Sequence, residues 1–441
     1  MAINMAILTV DPERACGRIK PMHCVNNGPV KAREDQVRGN FETYKALQIP
    51  YARNHDASFF AGYGGPHCVD INAVFPCFDR DENDPAAYDF HLTDEYILTT
   101  LSAGTKTFYR LGSRIEHETK KYGTLPPPDF EKWARVCEHI IRHYTEGWAD
   151  GLRLDLEYWE IWNEADGAED DDDPYWKKCW GGTKAQFFEL FRITAAHLKR
   201  CFPHLKIGGP AVCCNSTPWT YDFLDYCAEN RVPLDFFSWH AYAVTPENTL
   251  RGAKELRQKL DALGYKNTES ICNEWNYVRN WDTEFIDSIL TINGLKGAAY
   301  TAATILYGQR LPIDMLMYYD FRPCPFCGPY NFYTLRPQKP YYPFLMYSEL
   351  YRKGTEIETR CDDEAVYTVG AKDATGVSVM GAYYGDGAGL PAKTLTVKGL
   401  KDGAELYLLD EDRDMEKAPM IVKDGEAALT LQPYTVFLIR S

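Results

Sequence analysis

The feature that most constrains this chain is an alternation. Apolar runs of six to eight residues are separated, again and again, by longer stretches with helical period. That is how strand–helix–strand units and a parallel sheet look in sequence. Eight runs qualify as strands: "RIKPMHCV" (18–25), "IPYARNH" (49–55), "KTFYRLG" (106–112), "EYWEIWN" (157–163), "LKIGGP" (205–210), "LDFFSWH" (234–240), "SICNEW" (270–275) and "LMYYDF" (316–321). Between them, "DFEKWARVCEHIIRHYTEGW" (129–148) sets Phe130, Trp133, Cys137, Ile140, Ile141 and Tyr144 on one face of a helix. The stretch 183–202 repeats the pattern behind Thr183, an N-cap candidate, and 247–264 ends on Gly264, a C-cap candidate. Eight strands with intervening helices predict a (β/α)8 barrel over residues 16–345. A doubly wound open sheet is the alternative, but no Gly-x-Gly-x-x-Gly follows any of the eight runs.

Beyond residue 345 the pattern changes. Short alternating runs such as "EAVYTVGAKD", "GVSVMGAYYG" and "YTVFLIRS" follow one another between Gly and Asp turns. They predict an antiparallel β-sandwich over 346–441, with the N-terminal stretch 1–15, through "AILTVD" (6–11), adding an edge strand.

Composition narrows the partners. A formal net charge of −15 argues against a nucleic-acid surface, which needs clustered Lys and Arg. No run approaches the ~18 apolar residues of a membrane span, and the first residues lack a basic, apolar export signal. The 14 Cys therefore read as reduced thiols and the chain as cytoplasmic. Cys324 and Cys327, in "CPFC", read as two thiols in a Pro-rich loop; a zinc site needs a second pair. The acidic run 169–173 reads as a solvated loop without the ligand spacing of a calcium loop. The segment 60–90 reads equally as a pocket cover and as a packed surface insertion. The residues do not set an oligomeric state.

Barrel sites are built at the C-terminal ends of strands. Here the second run ends in Arg53, His55 and Asp56, and the fourth in Asn163 and Glu164. The sixth ends in His240 and Tyr242, the seventh in Glu274, and the eighth in Asp320 and Arg322. Two carboxylates on opposite strands suit glycoside hydrolysis, which takes one protonated acid and one ionised nucleophile, about 5 Å apart in retaining enzymes. The expected roles are Glu164 as acid and then base, Glu274 as nucleophile, and Asn163 on the sugar 2-hydroxyl. Tyr242 or His240 would orient Glu274. Arg53 or Arg322 could face a uronate carboxylate, or equally pair with Asp56, Asp320 or another neighbouring carboxylate. This chemistry takes no cofactor and no metal. A sugar-binding barrel without turnover, and a barrel using Cys324 and Cys327 for metal chemistry, are the rivals from other classes.

"YWEIWNE" followed by Asp166, then "KIGGPA" (206–211), "FFSWHAY" (236–242) and "NEW" (273–275), resemble glycoside hydrolase family 39, which includes β-xylosidases and α-L-iduronidases. The resemblance runs from about 18 to 345. It implies a retaining (β/α)8 glycosidase acting on oligosaccharides, with Glu164 as acid/base and Glu274 as nucleophile. It also implies Asn163 and His240 in the sugar pocket, His55 on a sugar hydroxyl and Asp320 at the glycone. Asp56, Tyr242 and Arg322 complete the expected substrate-binding set. Ala165 departs from the family, many members of which carry Pro there. Xylose, galactose, arabinose and iduronic acid all stand open as the glycone, with an α-L-arabinofuranosidase the nearest competitor.

Overall fold

The computed structural model describes residues 4–32, 38–57, 68–113, 123–167, 179–387 and 389–441. The acidic run 169–173 and the first part of the 60–90 segment lie outside them.

Eight parallel strands close into a barrel: β2 (Cys24–Asn26), β3 (Tyr51–Arg53), β4 (Lys106–Leu111), β5 (Tyr158–Ile161), β6 (Lys206–Val212), β7 (Phe236–Ala243), β8 (Glu269–Tyr277) and β9 (Met315–Tyr318). Each falls on one of the eight expected runs. Strand residues alternate between the barrel axis and the surrounding helices, so the interior is built in layers of period two. The lower layer is apolar: Cys24, Phe108, Tyr158, Phe236, Ile271, Met315 and Met317 form one buried cluster. Two residues further along the strands the layer turns polar, with Asn26, Arg110, Glu160, Ser238 and Asn273, all buried. The functional candidates sit above it.

The helices cover the barrel as the periodicity predicts. Phe130–Thr145 buries Trp133, Cys137, Ile140, Ile141 and Tyr144, and Asp129 caps it by accepting from Lys132 N–H. Thr183 caps Lys184–Cys201 in a full capping box with Gln186. The stretch 247–264 differs from expectation. It is two helices, Pro246–Thr249 and Ala253–Ala262, broken at Gly252, whose φ is +81°.

The remaining strands form one nine-stranded sheet. They are β1 (Asn4–Arg18), β10 (Thr355–Cys361), β11 (Val366–Asp373), β12 (Gly376–Tyr383), β13 (Lys393–Lys398), β14 (Glu405–Leu409), β15 (Asp414–Ala418), β16 (Glu426–Leu431) and β17 (Val436–Arg440). Leu8, Val379, Leu395, Leu429 and Phe437, from strands far apart in the order, share one core, as the two faces of a sandwich do. Strand β1 is not an edge. It lies between β10, antiparallel, and β13, parallel, and so joins two halves of the sheet. The helix Tyr341–Lys353 crosses the expected division at 345/346. Arg310 ties the barrel to the sheet by donating to Thr359 and to the Thr368 carbonyl. No helix among the described residues is long and apolar enough to cross a membrane.

Candidate active site

Two backbone irregularities lift the carboxylates into the barrel mouth. Strand β5 ends at Ile161, and Trp162 and Glu164 then take φ of +73° and +49°. For a bulky residue such as Trp that conformation is strained, and it persists only where the surroundings impose it. Here Trp162 N–H donates to the Leu111 carbonyl and Glu164 N–H to the Ala211 carbonyl, each at 2.7–2.8 Å. On the far side, β8 carries a bulge. Trp239 pairs with Cys272, but His240 pairs with Glu274, so Asn273 is the extra residue. Strict alternation would turn Glu274 outward; the bulge brings both Asn273 and Glu274 to the inner face.

The result is a compact cluster. A carboxylate oxygen of Glu164, one of Glu274 and a ring nitrogen of His240 lie within 4.8 Å of one another. His240 Nδ1 is hydrogen-bonded to Glu164 Oε1 at 2.7 Å, and its Nε2 stands 3.5 Å from Glu274 Oε1. Burial pushes the His240 imidazole down to about 4, against the pull of Glu274. A neutral ring has one N–H and one lone pair, so Nδ1 can donate to an ionised Glu164 or accept from a protonated one. Glu274 is held on both oxygens: Tyr242 hydroxyl donates to Oε2 at 2.8 Å and Arg53 Nη1 to Oε1 at 2.7 Å. Burial raises the Glu274 carboxyl above its ordinary range, while His240, Arg53 and the Tyr242 hydroxyl pull it back down.

Of the two orienting residues anticipated for Glu274, Tyr242 bonds it directly; His240 bonds Glu164 instead. Arg53 pairs with neighbouring carboxylates, one of the two expectations for it. It pairs with neither Asp56 nor Asp320 but with Glu160 and Glu274, at 2.6 and 2.7 Å, with Nη2 on Asn163 Oδ1 at 2.6 Å. Glu160, fully buried, also accepts from Ser238 and Asn273. Period two in "YWEIWNE" marks Glu160 as facing the same way as Tyr158, but nothing local says that Arg53 faces it.

The other expected residues surround this cluster. Asn163 Nδ2 is buried and has no hydrogen-bond partner among the described residues. His55 is wholly buried, 3.7 Å from Glu274 Oε1 and 3.5 Å from Asp56 Oδ2, and burial holds it neutral. Tyr319 hydroxyl donates to Asp56 Oδ2 at 3.2 Å. Asp320 accepts from Asn27 Nδ2 and Arg322 N–H at 3.0–3.1 Å, and burial pushes it up to about 7. The Arg322 guanidinium lies over the Tyr96 ring at 5.1 Å and forms no ion pair among the described residues. Cys324 and Cys327 are buried thiols, with Cys324 Sγ 3.9 Å from Asp320. Of the 60–90 segment, Cys68, Val69, Ile71 and Val74 are buried and Asp70 pairs with Arg110, so its described part is packed insertion.

A cavity of about 500 Å³ opens over Glu164, His240, Tyr242 and Glu274, with Trp281, Phe326 and Arg251 also in its wall. Sequence reasoning missed Arg53 as partner of Glu274, Glu160, Trp281 and Arg251. Strand position was the available signal for Glu160; none existed for the loop residues.

Residues 8–306 match the sequence profile of glycosyl hydrolases family 39, well over half the chain. The chain belongs to that family. Over 164 residues, 35% of this chain and 31% of the relative, it is 33% identical to a β-xylosidase of Geobacillus stearothermophilus. Over 175 residues, 38% of this chain and 33% of the relative, it is 29% identical to a β-xylosidase of Caldicellulosiruptor saccharolyticus. The match therefore spans about a third of the length of these curated relatives. Among solved structures, a glucosidase from Croceicoccus marinus superposes with a TM-score of 0.79 at 22% identity, covering 100% of this chain and 99% of that one. A monomeric β-xylosidase from Caulobacter crescentus CB15 superposes at 0.68 and 18%, covering 98% and 99%. At these identities the structural likeness speaks for the fold alone.

Proposed function

We propose that this family-39 protein is a retaining, exo-acting glycoside hydrolase that removes a terminal sugar from oligosaccharides, β-xylosidase-like in its glycone. The observation that carries the reading is the separation of the two carboxylates. One oxygen of each lies within 4.8 Å of the other, in keeping with the close pair of a retaining enzyme; inverting enzymes hold their carboxyl groups ~6.5–9.5 Å apart to admit water.

Glu274 attacks the anomeric carbon and forms a glycosyl ester while Glu164 gives its proton to the leaving oxygen. Glu164, now ionised, takes a proton from water, which attacks the ester and releases the sugar with its original configuration. His240, kept neutral by burial, bonds Glu164 in both states. Arg53 and Tyr242 keep Glu274 charged against its burial. Asn163, anchored through Oδ1 by Arg53, leaves its amide N–H for the 2-hydroxyl. His55, Asp56, Asp320 and Arg322 would hold the glycone.

The β-xylosidase names of the two curated relatives support the glycone. One observation favours a second reading, a uronic acid: the buried Arg322 guanidinium has no carboxylate partner among the described residues. Buried charges are ordinarily paired. Nitrophenyl β-xyloside, β-galactoside, β-glucoside, α-L-arabinofuranoside and α-L-iduronide should be assayed beside Glu274→Ala. Release from the xyloside, lost in the variant and leaving β-xylose as first product by proton NMR, is the expected result. Release that survives Glu274→Ala, or α-xylose as first product, would overturn the mechanism. Tight binding of sugars with no turnover of nitrophenyl or natural glycosides would leave a sugar-binding barrel.

A further inference from the structure

The cavity has two unlike sides. Glu274, on β8, is backed by buried residues that follow β3: His55, 3.7 Å from its Oε1, and beyond it Asp56. Glu164 follows β5, whose neighbour is β6, and the 213–216 loop after β6 is fastened to it: Asp166, two residues past Glu164, accepts from Cys213 N–H at 2.9 Å. The side next to the acid is where the leaving group must stand, because Glu164 protonates the oxygen joining the two sugars.

Asn215 and Ser216 line that side, together with Asn248 and Thr249 at the end of the helix Pro246–Thr249 and Arg251 in the turn that follows it. The turn is fixed by its partner loop. Asn215 Nδ2 donates to the Arg251 carbonyl at 3.1 Å, and a Cβ on Gly252 would stand 2.6 Å from Asn215 Oδ1. Only glycine permits this approach at a φ of +81°. The break in the expected helix is therefore what brings Arg251 to the cleft. In the wall of the same cavity, Trp281 is 61% exposed, stacked on Phe285 at 5.8 Å and edge-on to Tyr242 at 5.0 Å. An exposed indole backed by aromatic rings is a platform for the apolar face of a sugar.

Among the described residues lining the cleft, Arg251 is the only cationic side chain. It forms no ion pair and no side-chain hydrogen bond among the described residues. In a chain of net charge −15, with Glu164 and Glu274 in the same cavity, an acidic ligand would otherwise be repelled.

We propose that this cleft is a leaving-group subsite for an acidic sugar. Its ring stacks on Trp281, and its carboxylate pairs with the fork of Arg251. The substrate class is then an oligosaccharide in which the released sugar is joined to a uronic acid. The proposal rests on the retaining-glycosidase reading for the position of the leaving group, but binding can be measured without turnover.

The test is titration calorimetry on the intact protein. The probes are a disaccharide with a neutral sugar linked to a reducing-end uronic acid, and the same disaccharide with its carboxyl reduced to an alcohol. The acid should bind about five- to tenfold more tightly than its reduced form at low salt, the range of a partly exposed charge-assisted pair. The advantage should shrink as salt is raised. Arg251→Gln should abolish it, Arg251→Lys should keep part of it, and Trp281→Ala should weaken both probes alike. Equal affinity for the two probes, no measurable binding of the acid, or a preference unchanged in Arg251→Gln would overturn the proposal. A protein that cleaves nitrophenyl glycosides without that preference loses the subsite and keeps the function. One that binds the acid through Arg251 but cleaves nothing loses the function and keeps the acidic-sugar site.

Discussion

Arg53→Met is the perturbation that interrogates the site most directly. The guanidinium is wholly buried and donates to four acceptors, of which Glu160 and Glu274 are carboxylates at 2.6 and 2.7 Å. Methionine fills similar space and donates nothing. A unit-charge pair at such a distance, at an effective dielectric constant of ~20, attracts by about 6 kcal/mol, most of which the folded protein has already spent on desolvation. Removing one partner strands the others, which costs about 3–5 kcal/mol. The cost must depend on pH. Burial sets the folded Glu274 carboxyl above its unfolded value, so its contribution to stability is fully present below that unfolded value and is lost as pH rises through the folded one. Without Arg53 the folded value climbs further. The gap in unfolding free energy between wild type and Arg53→Met should then be small near pH 4, where the stranded carboxyl is neutral, and widen as pH rises to 7. Urea unfolding at several pH values reads this, with soluble, folded variant at low pH as the control. The acid limb of the pH–rate profile should move upward too, by one unit for every 1.36 kcal/mol of lost carboxylate stabilisation. A destabilisation equal at pH 4 and pH 7 would refute the electrostatic argument and reduce Arg53 to packing. A loss below about 1 kcal/mol at pH 7 would refute it as well.

Three further outcomes follow from the same geometry. Tyr242→Phe deletes one donor to Glu274 and should lower kcat about 10- to 100-fold, the worth of a hydrogen bond to a charged group, while shifting the acid limb upward; unchanged kinetics would remove Tyr242 from the mechanism. Asp320 is pushed by burial up to about 7. Its stabilising contribution is therefore complete below about pH 4 and disappears as pH rises through 7, and Asp320→Asn should flatten the fall in urea stability across that window. Gly252→Val should disorder the 250–252 turn, because its side chain meets Asn215 and its φ is left-handed. It should cost about 1–3 kcal/mol in thermal or urea unfolding, and wild-type stability would contradict the clamp.

Much of this could be read from the chain as a string. Barrel strands bury both faces, so they stand out as apolar runs; all eight were legible, five of them with polar ends. The helix Lys184–Cys201 carries its own start signal in Thr183 and Gln186. Expectation failed where a local pattern met a long-range contact. The stretch 247–264 has helical period throughout, yet Asn215, more than thirty residues earlier, seizes the turn at Gly252. "AILTVD" alternates as a strand should, but its place between β10 and β13 depends on partners some 350 residues away.

The candidate site divides in the same way. Residue type and position at a strand end made Glu164, Glu274, His240, Tyr242 and Asn163 visible, because a barrel brings every C-terminal strand end to one rim whatever the loop lengths. Which of them touch is a property of closure alone. Arg53 and Glu160 are on β3 and β5, strands that do not pair with one another, and they meet only because the barrel interior makes all inward side chains of one layer neighbours. Glu274 faces inward because one extra residue, Asn273, shifts the register between β7 and β8. Sequence by itself thus determined the fold and the carboxyl pair, since periodicity and strand ends are local properties. Tertiary structure alone decided the partners that set their charge, since a barrel's interior is shared by residues with no relation along the chain.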